Sequence, residues 1–407
     1  VTVNKAMPQP APRRLSPRLL RILSESTGFA VGREPPAVPR ELVEAVVELS
    51  GLFTGKRGSG LPSYQTDERL RRAYLAYYLP VNLAKVQALL DELPADALRP
   101  SGDRRLRVLD LGCGPGTASL GILDWVSRKS GSSPVPLDVI AVDQSAEALR
   151  ACEDLWRRYV AGSRAVVRLE TIRANLERWH PGRAPRDGRY DLIVVANTLN
   201  ELFGAARDPL ARRAKLIRLL LDLLQEHGTL MLVEPALRAT ARALHQLRDL
   251  LVAENACTVY SPCLHEYGCP ALVNPDDWCH EERPWTPPAL VAAIDRGAGF
   301  IKDALKFSYL LLRKDGRTIV RRAPGVYRVV SELREMKGEK RAWLCNEQGR
   351  PEVGRLDRER SAANAALDDW HRGAIVKISE IVRKNRDSSL GRIPANARVE
   401  VVRSVEC

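Results

Sequence analysis

Between residues 104 and 313 the apolar residues change rhythm, gathering in short runs separated by stretches of helical periodicity or by turns. Short apolar runs flanked in this way are what strands buried on both faces of a parallel sheet require. Strands are expected at 107–111, 138–142, 165–170, 191–196 and 229–233, with a late strand at 307–313. The implied fold class is α/β, a Rossmann-like sheet with helices on its faces. No apolar run reaches the roughly eighteen residues that a bilayer-spanning helix needs, so no membrane partner is expected.

A chain of 407 residues exceeds what one hydrophobic core organises, and four parts are expected. Residues 1–38 read as a basic flexible arm, because Lys5, Arg13, Arg14, Arg18 and Arg21 occur there before any acid. Such a composition suits phosphate contact or a mitochondrial presequence. Residues 39–103 read as a helical region with two apolar stripes, one through Leu42, Val43, Val46, Val47 and Leu49, the other through Leu70, Tyr74, Leu75, Tyr78 and Leu79. Between the stripes, Lys56 and Arg57 lie in a glycine-rich loop suited to phosphate contact. Residues 104–320 hold the sheet, with a Cys-rich metal-binding insertion at 257–285 before its late strand. Residues 321–407 form a small β-rich domain, with strands expected at 325–330, 341–345, 374–381 and 399–402.

The first strand runs into Gly112, Gly114 and Gly116, with Asp110 just before them. Glycines in a strand-to-helix turn admit positive φ and let the backbone approach a ligand. Dinucleotide folds space their glycines G-x-G-x-x-G. The G-x-G-x-G here instead resembles the first motif of class I S-adenosylmethionine-dependent methyltransferases. Asp143 ends the second strand, where a carboxylate can accept two ribose hydroxyls. Asn175 follows the third strand in position to contact adenine, and Asn197 ends the fourth. The expected cofactor-binding set is therefore Asp110, Gly112, Gly114, Gly116, Asp143, Asn175 and Asn197. After Asn197 there is neither an Asn/Asp-Pro-Pro-aromatic motif, as amino-group methyltransferases carry, nor the cysteine that attack on a pyrimidine carbon requires. No catalytic residue is assigned.

Cys263, Cys269 and Cys279 fall in a Pro- and Asp-rich segment and, with Cys345, could supply four thiolates to a tetrahedral zinc or an iron–sulfur cluster. Five residues separate the first two and nine the next two, spacings more open than the C-x₂₋₄-C turn that presents two thiolates to one zinc ion. A [4Fe–4S] cluster is larger and accepts ligands from looser loops. His265 and His280 keep zinc, or mixed ligation, open. Cys113, Cys152 and Cys257 read as ordinary buried thiols. No secretory pattern opens the sequence, and a reducing compartment is expected.

The net charge of +13 favours polyanions, nucleic acid first among them. Three features coincide: the loop at 109–117, the strand end at 196–202, and Glu234-Pro235 followed by Cys-x₅-Cys-Pro. Together they resemble the methyltransferase-like family associated with the small ribosomal subunit, known from mitochondria and also found in bacteria. The resemblance covers roughly residues 61–314 and then Cys345. It implies bound S-adenosylmethionine, a [4Fe–4S] cluster on Cys263, Cys269, Cys279 and Cys345, and a role in maturing the small subunit by gripping its rRNA. The expected partners are that subunit and its rRNA, with the protein monomeric when off the ribosome. The setting is cytoplasmic in a bacterium or, alternatively, the mitochondrial matrix. A free-standing methyltransferase of RNA or another substrate, with a structural zinc or iron–sulfur site, is the alternative.

Overall fold

The structure is a computed structural model that describes residues 12–29, 37–55, 64–98, 104–129, 135–163, 166–179, 189–301, 303–383 and 390–405. Lys5, Lys56, Arg57 and Cys407 lie outside these residues.

Five strands, β1 (Leu106–Leu111), β2 (Leu137–Asp143), β3 (Val167–Arg173), β4 (Tyr190–Ala196) and β5 (Leu224–Pro235), pair in parallel. Three more follow: β6 (Thr258–Ser261), β7 (Glu281–Pro284) and β8 (Ala304–Arg313). The sheet order is β3-β2-β1-β4-β5-β8-β6, with β7 also on β8, and β8 runs antiparallel to β5, β6 and β7. Strand alternation sends Leu106 and Val108 into one core and Leu109 and Leu111 into the other, so both faces are covered. This is the doubly wound, Rossmann-like arrangement expected of the apolar runs. β6 and β7 lie end to end on the same edge of β8, and the segment 262–280 leaves the sheet between them.

Nine α-helices are defined among the described residues. They are α1 (Pro17–Thr27), α2 (Arg40–Thr54), α3 (Glu68–Ala73), α4 (Leu79–Leu90), α5 (Thr117–Lys129), α6 (Ala146–Val160), α7 (Pro209–Asp222), α8 (Arg238–Ala253) and α9 (Ala289–Ala298). Leu42, Val46 and Leu49 of the first expected stripe are buried, while Val47 points to solvent. The second stripe passes through α3, a π-helical turn at Tyr74–Tyr78 and the start of α4.

One expectation is corrected. Residues 12–29 are not a flexible arm: Ser16 caps α1 by accepting the N–H of Leu19, and Leu15, Leu19, Ile22 and Leu23 enter the main core. Arg13 is buried, ion-paired with Asp91 and bridged to Trp285. The absence of acids had suggested solvent exposure. The apolar spacing within the same stretch decides otherwise, because a helix buries residues three and four apart.

The C-terminal part forms a second sheet from β9 (Val326–Val329), β10 (Arg334–Met336), β11 (Glu339–Cys345), β12 (Glu352–Leu356), β13 (Ile375–Ile378), β14 (Val382–Arg383), β15 (Leu390–Arg392) and β16 (Val399–Arg403). It has a core of its own, in which Val329, Leu344, Val353 and Val376 are completely buried. Along β11, Ala342 and Leu344 point inward, which turns Cys345 toward the opposite face. No helix among the described residues is long and apolar enough to cross a membrane.

Candidate cofactor cleft and cysteine pocket

The cleft lies where β1, β2 and β4 end. Gly112, Gly114 and Gly116 have φ of 69°, 53° and 79°. A Cβ at Gly112 would lie 2.3 Å from the Thr198 side chain, and one at Gly116 would lie 2.5 Å from Cys152 Sγ. Both the turn and its packing therefore require glycine. The N–H groups of Gly112 and Cys113 donate to the carbonyl of Val142 at 2.8 and 3.1 Å, which fixes the loop against β2.

Asp143 accepts the N–H groups of Gly114 at 2.9 Å and Ser145 at 2.8 Å. An ionised carboxylate has about four acceptor positions, so its oxygens can still receive hydroxyl donors. Asp110 is only 1% exposed and accepts both the N–H and the hydroxyl of Ser119, bracing the start of α5. Burial raises its pKa to about 6 against the pull of the Ser119 bonds. Asn175 stands exposed just past β3, and its side-chain oxygen accepts the N–H of Glu177. Asn197 adopts φ 54°, donating its N–H to Val233. Next to it, the Thr198 hydroxyl donates to the Gly112 carbonyl at 3.2 Å and joins the β4 end to the glycine loop.

Tyr64 and Gln65 carried no sequence signal as site residues, and Glu234 entered only as part of a motif. Tyr64 stacks on Tyr74 with ring centres 5.2 Å apart, and its hydroxyl is held protonated by burial, with Tyr74, Glu201 and Asp143 adding. Gln65, its neighbour, has its amide nitrogen 3.9 Å from where a Cβ on Gly114 would be, so the N-terminal region roofs the loop. Glu234, next to last in β5, is 2% exposed. One of its oxygens accepts the N–H of Asn200, and the other has no protein partner. Burial, assisted by Glu201, pushes its pKa up to about 8.

The segment 262–280 is gripped by α8. Arg242 donates to the carbonyls of Ala271, Leu272, Asn274 and Asp277 at 2.7–3.1 Å. Arg248 donates to those of His265 and Tyr267, and Asp249 accepts the N–H of Cys269. Beneath lies a partly open pocket whose lining includes Cys263, Cys279, Cys345 and His245. Cys345 reaches it from β11, its Sγ 4.0 Å from His265 Nε2. The Cys345 thiol also interacts electrostatically with Cys279, Cys263 and Cys269, so β11 brings it to the three cysteines of the insertion. Among the described residues, no three His, Cys, Asp or Glu side chains converge closely enough to hold a single metal ion.

Burial raises the pKa of the Cys263, Cys279 and Cys345 thiols. Arg248 beside Cys263, and Arg350 beside Cys279 and Cys345, oppose it. Several buried nitrogens around the cavity have no protein partner: both ring nitrogens of His245, Nδ1 of His280 and Nε of Arg372. Thiols ringed by cationic and unmet N–H groups suit an electron-rich, negatively charged guest.

A carboxy-S-adenosyl-L-methionine synthase of Methylococcus capsulatus is 29% identical over 171 residues, covering 42% of this chain and 58% of that protein. The chain thus spans less than two thirds of that relative's length. An O-methyltransferase family protein from Burkholderia thailandensis is similar at 16% identity and TM-score 0.34, covering 70% of this chain and 73% of that one. An S-adenosylmethionine-dependent methyltransferase from Leishmania major is similar at 12% identity and TM-score 0.35, covering 68% and 87%. The strand order, rather than these likenesses, defines the fold. The family model described as mitochondrial small ribosomal subunit Rsm22 matches residues 69–357, well over half of the sequence, and the chain belongs to that family.

Proposed function

We propose that this protein is an S-adenosylmethionine-binding factor of the small ribosomal subunit that grips rRNA and carries a [4Fe–4S] cluster on Cys263, Cys269, Cys279 and Cys345. The observation that carries this reading is the extent of the family match: residues 69–357 contain both the glycine loop and all four cysteines. In the cleft, the glycine loop, with no side chains at positions 112, 114 and 116, would let its backbone approach the cofactor while Asp143 receives the ribose hydroxyls. Asn175 and Asn197 would border the adenine and the methionine end. In the second pocket, Cys263 and Cys279 of the insertion and Cys345 of β11 line one cavity, Cys269 lies close enough to Cys345 to interact with it, and the set is spread too widely for one ion, which favours a cluster over zinc. When bound, the cluster supplies four iron–thiolate bonds that cross-link the insertion to β11.

The positive charge supports the rRNA contact, and among the described residues Arg14 and Arg21 present it to solvent. Co-sedimentation of the tagged full-length protein with small-subunit precursors across a salt series tests the partner. Binding should fall by roughly 0.7–0.9 log units per log unit of salt for each phosphate contact. Absence from those fractions at low salt, or a flat salt response, rejects the ribosomal reading. Methyl transfer needs only alignment of a basic acceptor with the cofactor. Mass spectrometry of rRNA from a deletion strain separates the two roles: a lost methyl mark identifies an enzyme, and assembly defects with all marks intact identify a binding factor.

A further inference from the structure

We infer that His245 donates a hydrogen bond to a sulfur of the group held in the cysteine pocket. This role presupposes the cluster proposed above and adds a residue that the cysteine spacing does not reveal.

Along α8, Arg242, His245, Arg248 and Asp249 follow one another at helical spacing and share one face. That face meets the insertion. Arg242 and Arg248 hold its carbonyls, and Asp249 holds the N–H of Cys269. His245 stands in the middle of this row at 1% exposure, and neither ring nitrogen has a protein partner. A neutral imidazole always carries one N–H and one bare nitrogen. Leaving the donor unmet in the interior forfeits its hydration with nothing in return. The cavity that His245 lines is the one lined by Cys263, Cys279 and Cys345, so whatever fills it meets the ring. Four thiolates already complete the coordination of a cubane, which leaves the imidazole to donate to a sulfide or thiolate sulfur rather than to bind iron. Such a bond stabilises the more negative, reduced cluster and raises its reduction potential.

The test uses full-length protein purified anaerobically, with the variants His245→Leu, which fills the space without a donor, and His245→Asn, which keeps one. Iron and sulfide content, a redox titration followed by electron paramagnetic resonance, and hyperfine spectroscopy with ¹⁵N-labelled histidine are the readouts. The parent should show weak nitrogen coupling. His245→Leu should keep its iron yet titrate at a more negative potential, with His245→Asn between the two. Equal potentials in all three proteins overturn the donor role while leaving the cluster standing, as they would if only a water met the ring. A strong, directly bonded nitrogen coupling overturns it too, by making His245 an iron ligand. A parent that holds zinc or no metal refutes the cluster reading itself, and the role of His245 with it.

Discussion

Gly112 and Gly114 lie in the same turn, yet they tolerate a side chain differently. At Gly112 an added methyl collides with Thr198 at 2.3 Å, whereas at Gly114 its nearest neighbour is the Gln65 amide at 3.9 Å. Gly112→Ala should therefore cost about 2–4 kcal/mol, from positive φ plus overpacking, and Gly114→Ala about 1–2 kcal/mol from φ alone. Thermal denaturation of the two variants checks the contrast. Asp143→Ala should weaken S-adenosylmethionine binding about tenfold to a hundredfold, since a hydrogen bond to a charged group contributes roughly 1.5–3 kcal/mol. An unchanged calorimetric affinity would remove Asp143 from the site. Two buried carboxyls set opposite pH responses. The pKa of Glu234 is about 8 in the fold against an ordinary 4.5, so the folded state holds a proton that the unfolded chain has lost. Stability should thus fall as pH rises from 4.5 toward 8, by at most about 1.4 kcal/mol per pH unit, and Glu234→Gln should flatten that slope. Burial pushes Glu92 up, but Arg283 and Arg328 overcome it and hold it at about 2. Its stabilisation is present above the ordinary 4.5 and is lost as pH falls toward 2. The glycine loop and Asp143 were legible in the sequence because strand, turn and helix are contiguous. Tyr64 and Gln65 were not, since only tertiary packing brings them over the loop.

Elements buried on both faces were the readable ones. The expected strand 191–196 lies within β4, where nearly every residue is buried, and 307–313 lies within β8. The strand expected at 165–170 is β3 (Val167–Arg173), shifted because its half-exposed residues include Arg, Glu and Thr, which blur the apolar run. In the second sheet β12 went unread, its sequence Glu-Val-Gly-Arg-Leu having no apolar run, though Val353 is completely buried. The first helix is masked in the sequence by a basic stretch that is acid-free up to Ser24, although its apolar residues recur at helical spacing. Removing residues 1–27 should therefore lower the melting temperature by several degrees, not merely weaken phosphate contact, because Leu19, Ile22 and Leu23 leave the core. Arg242→Ala should raise amide exchange in residues 270–277 while leaving β8 protected, since four carbonyl contacts disappear from that loop alone. Unaltered exchange there would mean that the loop holds itself.

At the scale of the molecule, the two sheets meet through a buried ionic cluster. Arg328 of β9 pairs with Glu281 of β7 at 2.7 Å, and Arg283 of β7 pairs with Glu281 and with Glu92, just beyond α4. Removing one member of such a set leaves buried charge uncompensated, a loss of about 3–5 kcal/mol. Arg328→Met should accordingly split calorimetric unfolding into separate transitions for the two sheets, and a single unshifted transition would deny the cluster that role. The membership of Cys345 in the site was visible in the sequence only as a fourth thiol. Its route, from the outward face of β11 back to an interrupted sheet edge, belongs to tertiary structure. That route also sets an order of events during synthesis. His265 and Cys345 are eighty residues apart, so a growing chain completes the first sheet and exposes three thiols well before the fourth emerges. The pocket can close only after β11 has been made, which makes a filled pocket a mark that synthesis has passed into the second sheet.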